Sequence, residues 1–129
     1  MSELKNQISQ FIDTNAKIYQ DISLAIHAKP EVSDFEYFAS QTLSEQLKKE
    51  GFEIELPAAG HRTGFAATYK SNKPGPTVVF LAEYDALAGL GHGCGHNVFG
   101  ATSSLAGAAL KSVVDQIGGE VRVYGTPGE

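Results

Sequence analysis

The run Thr77-Val78-Val79-Phe80-Leu81-Ala82 constrains this chain more than any other stretch. It is continuously apolar and β-branched at its start. That pattern predicts a central strand covered on both faces, as in α/β proteins. A glycine-rich loop follows, from Glu83 to His96. From about Asn97 to Ile117, the apolar positions Val98, Leu105, Ala109, Val113 and Ile117 fall near helical spacing. The small residues among them (Gly100, Ala101, Ser103, Ser104, Ala106, Gly107, Ala108) predict a helix packed close against the sheet. Gly118-Gly119 ends it, and Glu120-Val121-Arg122-Val123-Tyr124 predicts the next strand. Strand, helix, strand in this order is one βαβ unit. Ligands of such sheets bind beyond the carboxyl ends of the strands. Both the Glu83–His96 loop and Thr126–Glu129 fall there, so the two segments are expected to share one site.

The segments before this unit read as its supports. Residues 3–27 carry Ile8, Phe11, Ile12, Tyr19, Ile22 and Ile26 at spacings of three, four and seven, which predicts an amphipathic helix. His27 lies at its end, where an imidazole usually meets the last carbonyls, and Ala28-Lys29-Pro30 stops it. A second helix is expected to be capped by Ser33 or Asp34, with Glu36 completing a capping box with Ser33. Its expected inner face is Phe35, Phe38, Thr42, Leu43 and Leu47, and Gly51 follows its end. Phe52, Ile54 and Leu56 alternate with Glu53 and Glu55 as a half-exposed strand, and Gly64–Lys70 predicts another. His61 and Arg62 precede that strand in a turn; a ligand role for His61 and a carboxylate-binding role for Arg62 are open, and a solvated turn is the favoured reading. The fold class is therefore α/β: a βαβ-containing sheet flanked by helices, in one domain over residues 1–129.

Composition excludes several classes of function. Hydrophobic residues are 42% and charged residues 19%, which fits a packed domain and not a disordered chain. The formal net charge of -5 offers no basic footprint for nucleic acid. No apolar run approaches the ~20 residues that span a bilayer, and the polar start lacks the apolar core of a signal peptide. A cytoplasmic location is expected. With one cysteine, Cys94, an intrachain disulfide is excluded.

That cysteine stands in the most chemically dense stretch, Leu81 to Asn97 (LAEYDALAGLGHGCGHN). Cys94 and His96 are two apart, and as thiolate and neutral imidazole they are strong ligands for zinc-like ions. Gly95 between them lets the backbone bend. Asp85 can bind metal or orient a ligand histidine. Glu83, two residues earlier, lies on the same side if the strand continues. Two ligands do not make a metal site, however. Cys94 could equally be a packed small residue, or a nucleophile activated by His92 or His96. His92 reads as a loop histidine or an orienting group. The pattern is neither a P-loop nor a dinucleotide-binding fingerprint.

Three stretches resemble a known family, the aminoacylase and carboxypeptidase family of dinuclear metallohydrolases. The nearest branch acts on N-acyl amino acids, aminobenzoyl-glutamate and related dipeptides. Glu83-Tyr84-Asp85-Ala86-Leu87 is similar to its acidic-x-Asp-Ala-Leu-Pro segment. Gly91-His92-Gly93-Cys94-Gly95-His96-Asn97 is similar to its Gly-His-Ala-Cys-Gly-His-Asn/Asp segment. Gly125-Thr126-Pro127-Gly128-Glu129 is similar to the start of its Thr-Pro-Ala-Glu-Glu segment.

The resemblance implies a metal-dependent hydrolase that cleaves the amide bond of N-acyl amino acids, aminobenzoyl-glutamate-like compounds or dipeptides. It implies that Cys94 and His96 are metal ligands, that Glu129 is the general base, and that Asp85 supports the metal centre. Glu83 stands where other branches carry a metal-binding histidine. Two divalent metal ions are implied for the full-length enzyme, zinc or manganese foremost and cobalt or nickel compatible. So are a small amide or dipeptide substrate and a homodimer of the full-length protein. Ala88 departs from the family's proline. The second glutamate of the pair, further ligand histidines and a lid domain are not in the chain. Residues 1–129 are thus expected to be the amino-terminal part of a zinc-peptidase-like catalytic domain, inactive alone. The competing readings are a short non-catalytic module that binds a metal or ligand at the same loop, and a thiol enzyme using Cys94.

Overall fold

The computed structural model describes residues 2–129. In chain order the elements are α1 (Ser2–Ala28), α2 (Tyr37–Lys49), β1 (Glu53–Glu55), β2 (Phe65–Lys70), β3 (Thr77–Glu83), α3 (His96–Ile117) and β4 (Glu120–Thr126). The four strands form one mixed sheet in the order β1-β2-β4-β3. β2 is antiparallel to both β1 and β4, and β3 runs parallel to β4. The β3-α3-β4 crossover is the βαβ unit read from the sequence.

The core lies between one face of this sheet and the helices. Phe65, Ala67, Val121, Val123 and Ala82 meet Tyr19, Ile22 and Ile26 of α1, Leu43 and Leu47 of α2, and Ala101 and Ala108 of α3. The small residues of α3 act as the sequence suggested. A Cβ built on Gly107 would overlap the Val123 side chain, and one on Gly100 would sit 2.9 Å from the Glu83 carbonyl oxygen. Close approach of α3 to β3 and β4 therefore requires glycine at both positions. α1 packs against α3, burying Tyr19, Ile22 and Ile26 as the periodicity predicted.

Three expectations are corrected. First, β3 is not a central strand. Among the described residues only β4 pairs with it, and Val79 and Leu81 on the outward side are 41% and 59% exposed. The run is apolar on both faces, but the chain supplies a helical layer to only one. A cleft of about 760 Å³ opens on the bare side, lined in part by Thr68, Arg122 and Tyr124 and reaching Glu129. Second, neither Ser33, Asp34 nor a capping box closes the start of α2. The Glu31 carboxylate does so, accepting the amides of Phe38 (2.9 Å) and Ala39 (3.0 Å). Ser33 and Glu36 are engaged elsewhere, and Asp34 sits in the left-handed region at φ 68°. Phe35 consequently lies ahead of the helix and is exposed, with the Arg62 guanidinium 4.6 Å from its ring centroid. Third, Val98 and Ile117 are exposed, so the inner face of α3 is carried by its small residues together with Val113 and Val114.

Candidate metal centre

The site begins where β3 ends. Tyr84, the next residue, is fully buried and stacks on Phe65 with ring centroids 6.0 Å apart. Its hydroxyl donates to the Thr63 carbonyl at 2.5 Å. Burial, reinforced by the nearby Glu36 carboxylate, pushes its phenol far above the ordinary range. This locked side chain fixes the residue that follows, Asp85. Ala86 adds a second tie, its amide donating to the Glu31 carbonyl at 2.7 Å.

Across the glycine-rich loop, Gly95 at φ 84° turns the chain into α3, and His96 is the first helical residue. The His96 ring is held from both sides. Nδ1 lies 2.8 Å from Asp85 Oδ1 and 3.1 Å from the Asp85 carbonyl oxygen, while Nε2 lies 2.9 Å from Glu83 Oε2. The other Asp85 oxygen accepts from Ser33 Oγ at 3.1 Å. Both groups facing Nδ1 are acceptors, so Nδ1 carries the hydrogen. Neutral imidazole then presents a lone pair at Nε2, directly towards a carboxylate oxygen. Their 2.9 Å separation is that of a hydrogen bond, with one hydrogen shared between the two atoms. A ligand histidine steadied by a carboxylate on its other nitrogen is a usual arrangement at metal centres. His96 therefore has the donor chemistry of a metal ligand.

Glu83, Asp85 and His96 are thus brought together, and Glu83, whose role the sequence left open, is part of the cluster. Cys94 is exposed and stands two residues before His96. Among the described residues no group of three His, Cys, Asp or Glu side chains converges as a metal-holding set. The Thr126–Glu129 segment starts at the same end of the sheet: Thr126 pairs with Glu83 in register, and its hydroxyl donates to the Ala82 carbonyl at 3.2 Å. Glu129 is exposed beyond it.

The remaining histidines make no hydrogen bond to this cluster. Both ring nitrogens of His92 are shielded from solvent and have no hydrogen-bond partner, and its ring lies 6.3 Å from that of His27. Burial first, then the neighbouring His27 and His96, lower its pKa. His61 is exposed in its turn, and Arg62 donates from Nε to the Asp34 carbonyl at 2.8 Å. Asn97 serves packing, its amide donating to the Ser23 hydroxyl of α1 at 3.1 Å. Sequence reasoning missed Ser33, Glu31 and Glu36 as supports of the site. The ties that matter to the site run far along the chain, from Ser33 to Asp85, from Glu36 to Thr63 and Gly128, and from the Glu31 carbonyl to the Ala86 amide, so no local pattern reveals them.

No family model matches the chain. Curated relatives do. It is 33% identical to a p-aminobenzoyl-glutamate hydrolase polypeptide of Escherichia coli, over all of this chain and 30% of that protein. It is 34% identical to Xaa-Arg dipeptidase of Mus musculus, over 98% of this chain and 32% of that protein. Among solved structures it superposes on a dinuclear metal-binding peptidase of the M20 family from Bacillus subtilis, with a TM-score of 0.74 and 24% identity. That match covers 91% of this chain and 36% of the other. The chain is similar to about a third of each of these proteins and shares the fold of the matching part of the M20 peptidase. It spans about a third of the length of the curated relatives it matches, at 30% and 32%. Its mixed four-stranded sheet with three helices is the M20 amino-terminal fold.

Proposed function

We propose that this chain is the amino-terminal part of the catalytic domain of a metal-dependent amidohydrolase. The whole protein would cleave the amide bond of small N-acyl amino acids, aminobenzoyl-glutamate-like compounds or dipeptides. The observation that carries this reading is His96, held at Nδ1 by Asp85 with Nε2 turned to Glu83. The acidic Glu83-x-Asp85 and Cys94-x-His96 segments resemble the motifs of the aminoacylase and carboxypeptidase family in order and spacing, which supports this reading.

His96 and Cys94 are the proposed ligands of two divalent ions, zinc or manganese foremost, since thiolate and imidazole suit zinc and carboxylates suit manganese. Bound there, such ions supply Lewis-acid polarisation of the amide carbonyl and acidify a water molecule. The chain's own residues do the rest. Asp85 keeps the imidazole in one tautomer and orientation. Glu129 is the general base, taking the proton of the attacking water and returning it to the leaving amine. The bare side of β3, with Val79 and Leu81 open, suits a covering layer from the remainder of the catalytic domain. On this reading residues 1–129 alone do not turn over substrate. The complete protein is a cytoplasmic homodimer.

The test is hydrolysis of N-acetyl amino acids, p-aminobenzoyl-glutamate and dipeptides by the protein as its gene encodes it, with and without divalent metal. Metal-dependent turnover is expected, abolished by Cys94→Ser and by Glu129→Gln with the fold retained. Near-wild-type turnover in both variants contradicts the assigned roles.

A further inference from the structure

Glu36 is a carboxylate with no exposed surface and no cationic partner among the described residues. A charge so placed is costly unless hydrogen bonds replace its water. Two do. Oε1 accepts from Thr63 Oγ1 at 2.8 Å, and Oε2 accepts from the Gly128 amide at 2.9 Å. The second bond spans 92 residues of sequence and lands next to Glu129. The first leads back to the metal-centre side, because the Thr63 carbonyl receives the hydroxyl of Tyr84, the neighbour of Asp85. The same short loop also supplies Ser33 to Asp85. Gly128 has φ 71°, and a Cβ built on it would lie 3.8 Å from Asp34 Oδ1 and from the Ser33 Cβ, an ordinary contact with this loop.

We infer that Glu36 is a positioning residue for Glu129: its buried carboxylate grips the Gly128 amide and so registers the Glu129 loop against the Asp85–His96 cluster. This rests on the reading of Glu129 as general base. Packing alone does not account for Glu36, since an apolar side chain would fill the volume without the desolvation. What a carboxylate adds is two acceptors aimed at two donors from separate segments. A glutamine can keep the essential one, because its carbonyl oxygen can take the Gly128 amide while its NH2 group faces a hydroxyl that rotates to accept.

The test compares Glu36→Ala and Glu36→Gln in the protein as encoded. The readouts are kcat, KM, bound metal, and amide hydrogen exchange at Gly128 relative to the interior of β4. Glu36→Ala should lower kcat by roughly 100-fold, the effect of a misplaced catalytic group. KM and metal content should be unchanged, and the Gly128 amide should exchange faster while β4 does not. Glu36→Gln should restore most of both. Unchanged kcat in Glu36→Ala overturns the inference, as does a Glu36→Gln variant as impaired as the alanine. If Glu36→Ala fails to fold, Glu36→Gln decides: a slow Gly128 amide with near-wild-type kcat supports the tie, and a freely exchanging one refutes it. Absence of turnover in the wild type overturns the hydrolase reading instead, and the exchange comparison still decides whether Glu36 holds Gly128.

Discussion

Gly107→Ala gives opposite signs for local propensity and for packing. Alanine is the better helix former by about 1 kcal/mol, so an exposed Gly107 would make the substitution stabilising. The structure places that position against β4. The new methyl would overlap the Val123 side chain, with the Phe80 ring 3.7 Å away. Val123 has no exposed surface and lies between β2 and β3 in the sheet, so it cannot swing aside. Overpacking of this kind costs about 1–3 kcal/mol, and more when backbones must part. Net of propensity, the variant should be destabilised by up to about 2 kcal/mol, a fall in Tm of up to roughly 10 °C. Urea unfolding of the parent and variant reads this directly. The double variant Gly107→Ala/Val123→Ala should show favourable coupling, because the second change vacates the volume that the first needs. A stabilised Gly107→Ala, or additivity in the double variant, would refute the close packing of α3 on the sheet.

Two further effects follow from the buried polar groups. Burial raises the phenol pKa of Tyr19, which also donates to Glu50 at 2.8 Å, and that of Tyr84. A folded-state pKa above the unfolded value of 10.0 gives stability that is present below pH 10.0 and lost as pH rises beyond it. Each tyrosine contributes a slope of about 1.4 kcal/mol per pH unit. Unfolding free energy should therefore fall steeply in alkali and less steeply in Tyr84→Phe, whereas an identical slope in both proteins contradicts the burial argument. Glu31→Ala removes both acceptors at the start of α2 and should cost about 1–2 kcal/mol, measured by thermal unfolding, with no change expected if the cap were elsewhere.

What could be read from the sequence was the periodic and the local. The Tyr19, Ile22 and Ile26 stripe, the β3-α3-β4 order and the small-residue helix depend on neighbours a few positions apart. The Glu83–Asp85 spacing is also local, and both side chains meet His96 in the structure. The failures share a cause. The apolar run of β3 records burial on two faces, and the chain covers one. Ser33 and Glu36 resemble capping residues, but partners at Asp85, Thr63 and Gly128 engage their side chains instead. Tertiary partners outcompeted a local motif there, and the vacated cap fell to Glu31, several residues upstream of the helix.

The most direct measurement is the optical absorption of the cobalt-substituted protein, as encoded, beside its Cys94→Ser and His96→Ala variants, with bound metal counted in each. Ligation by Cys94 and His96 predicts a thiolate-to-cobalt charge-transfer band in the parent that Cys94→Ser abolishes, and loss of bound metal in His96→Ala. A band that persists without Cys94, or full metal content without His96, would contradict a metal centre built on this loop.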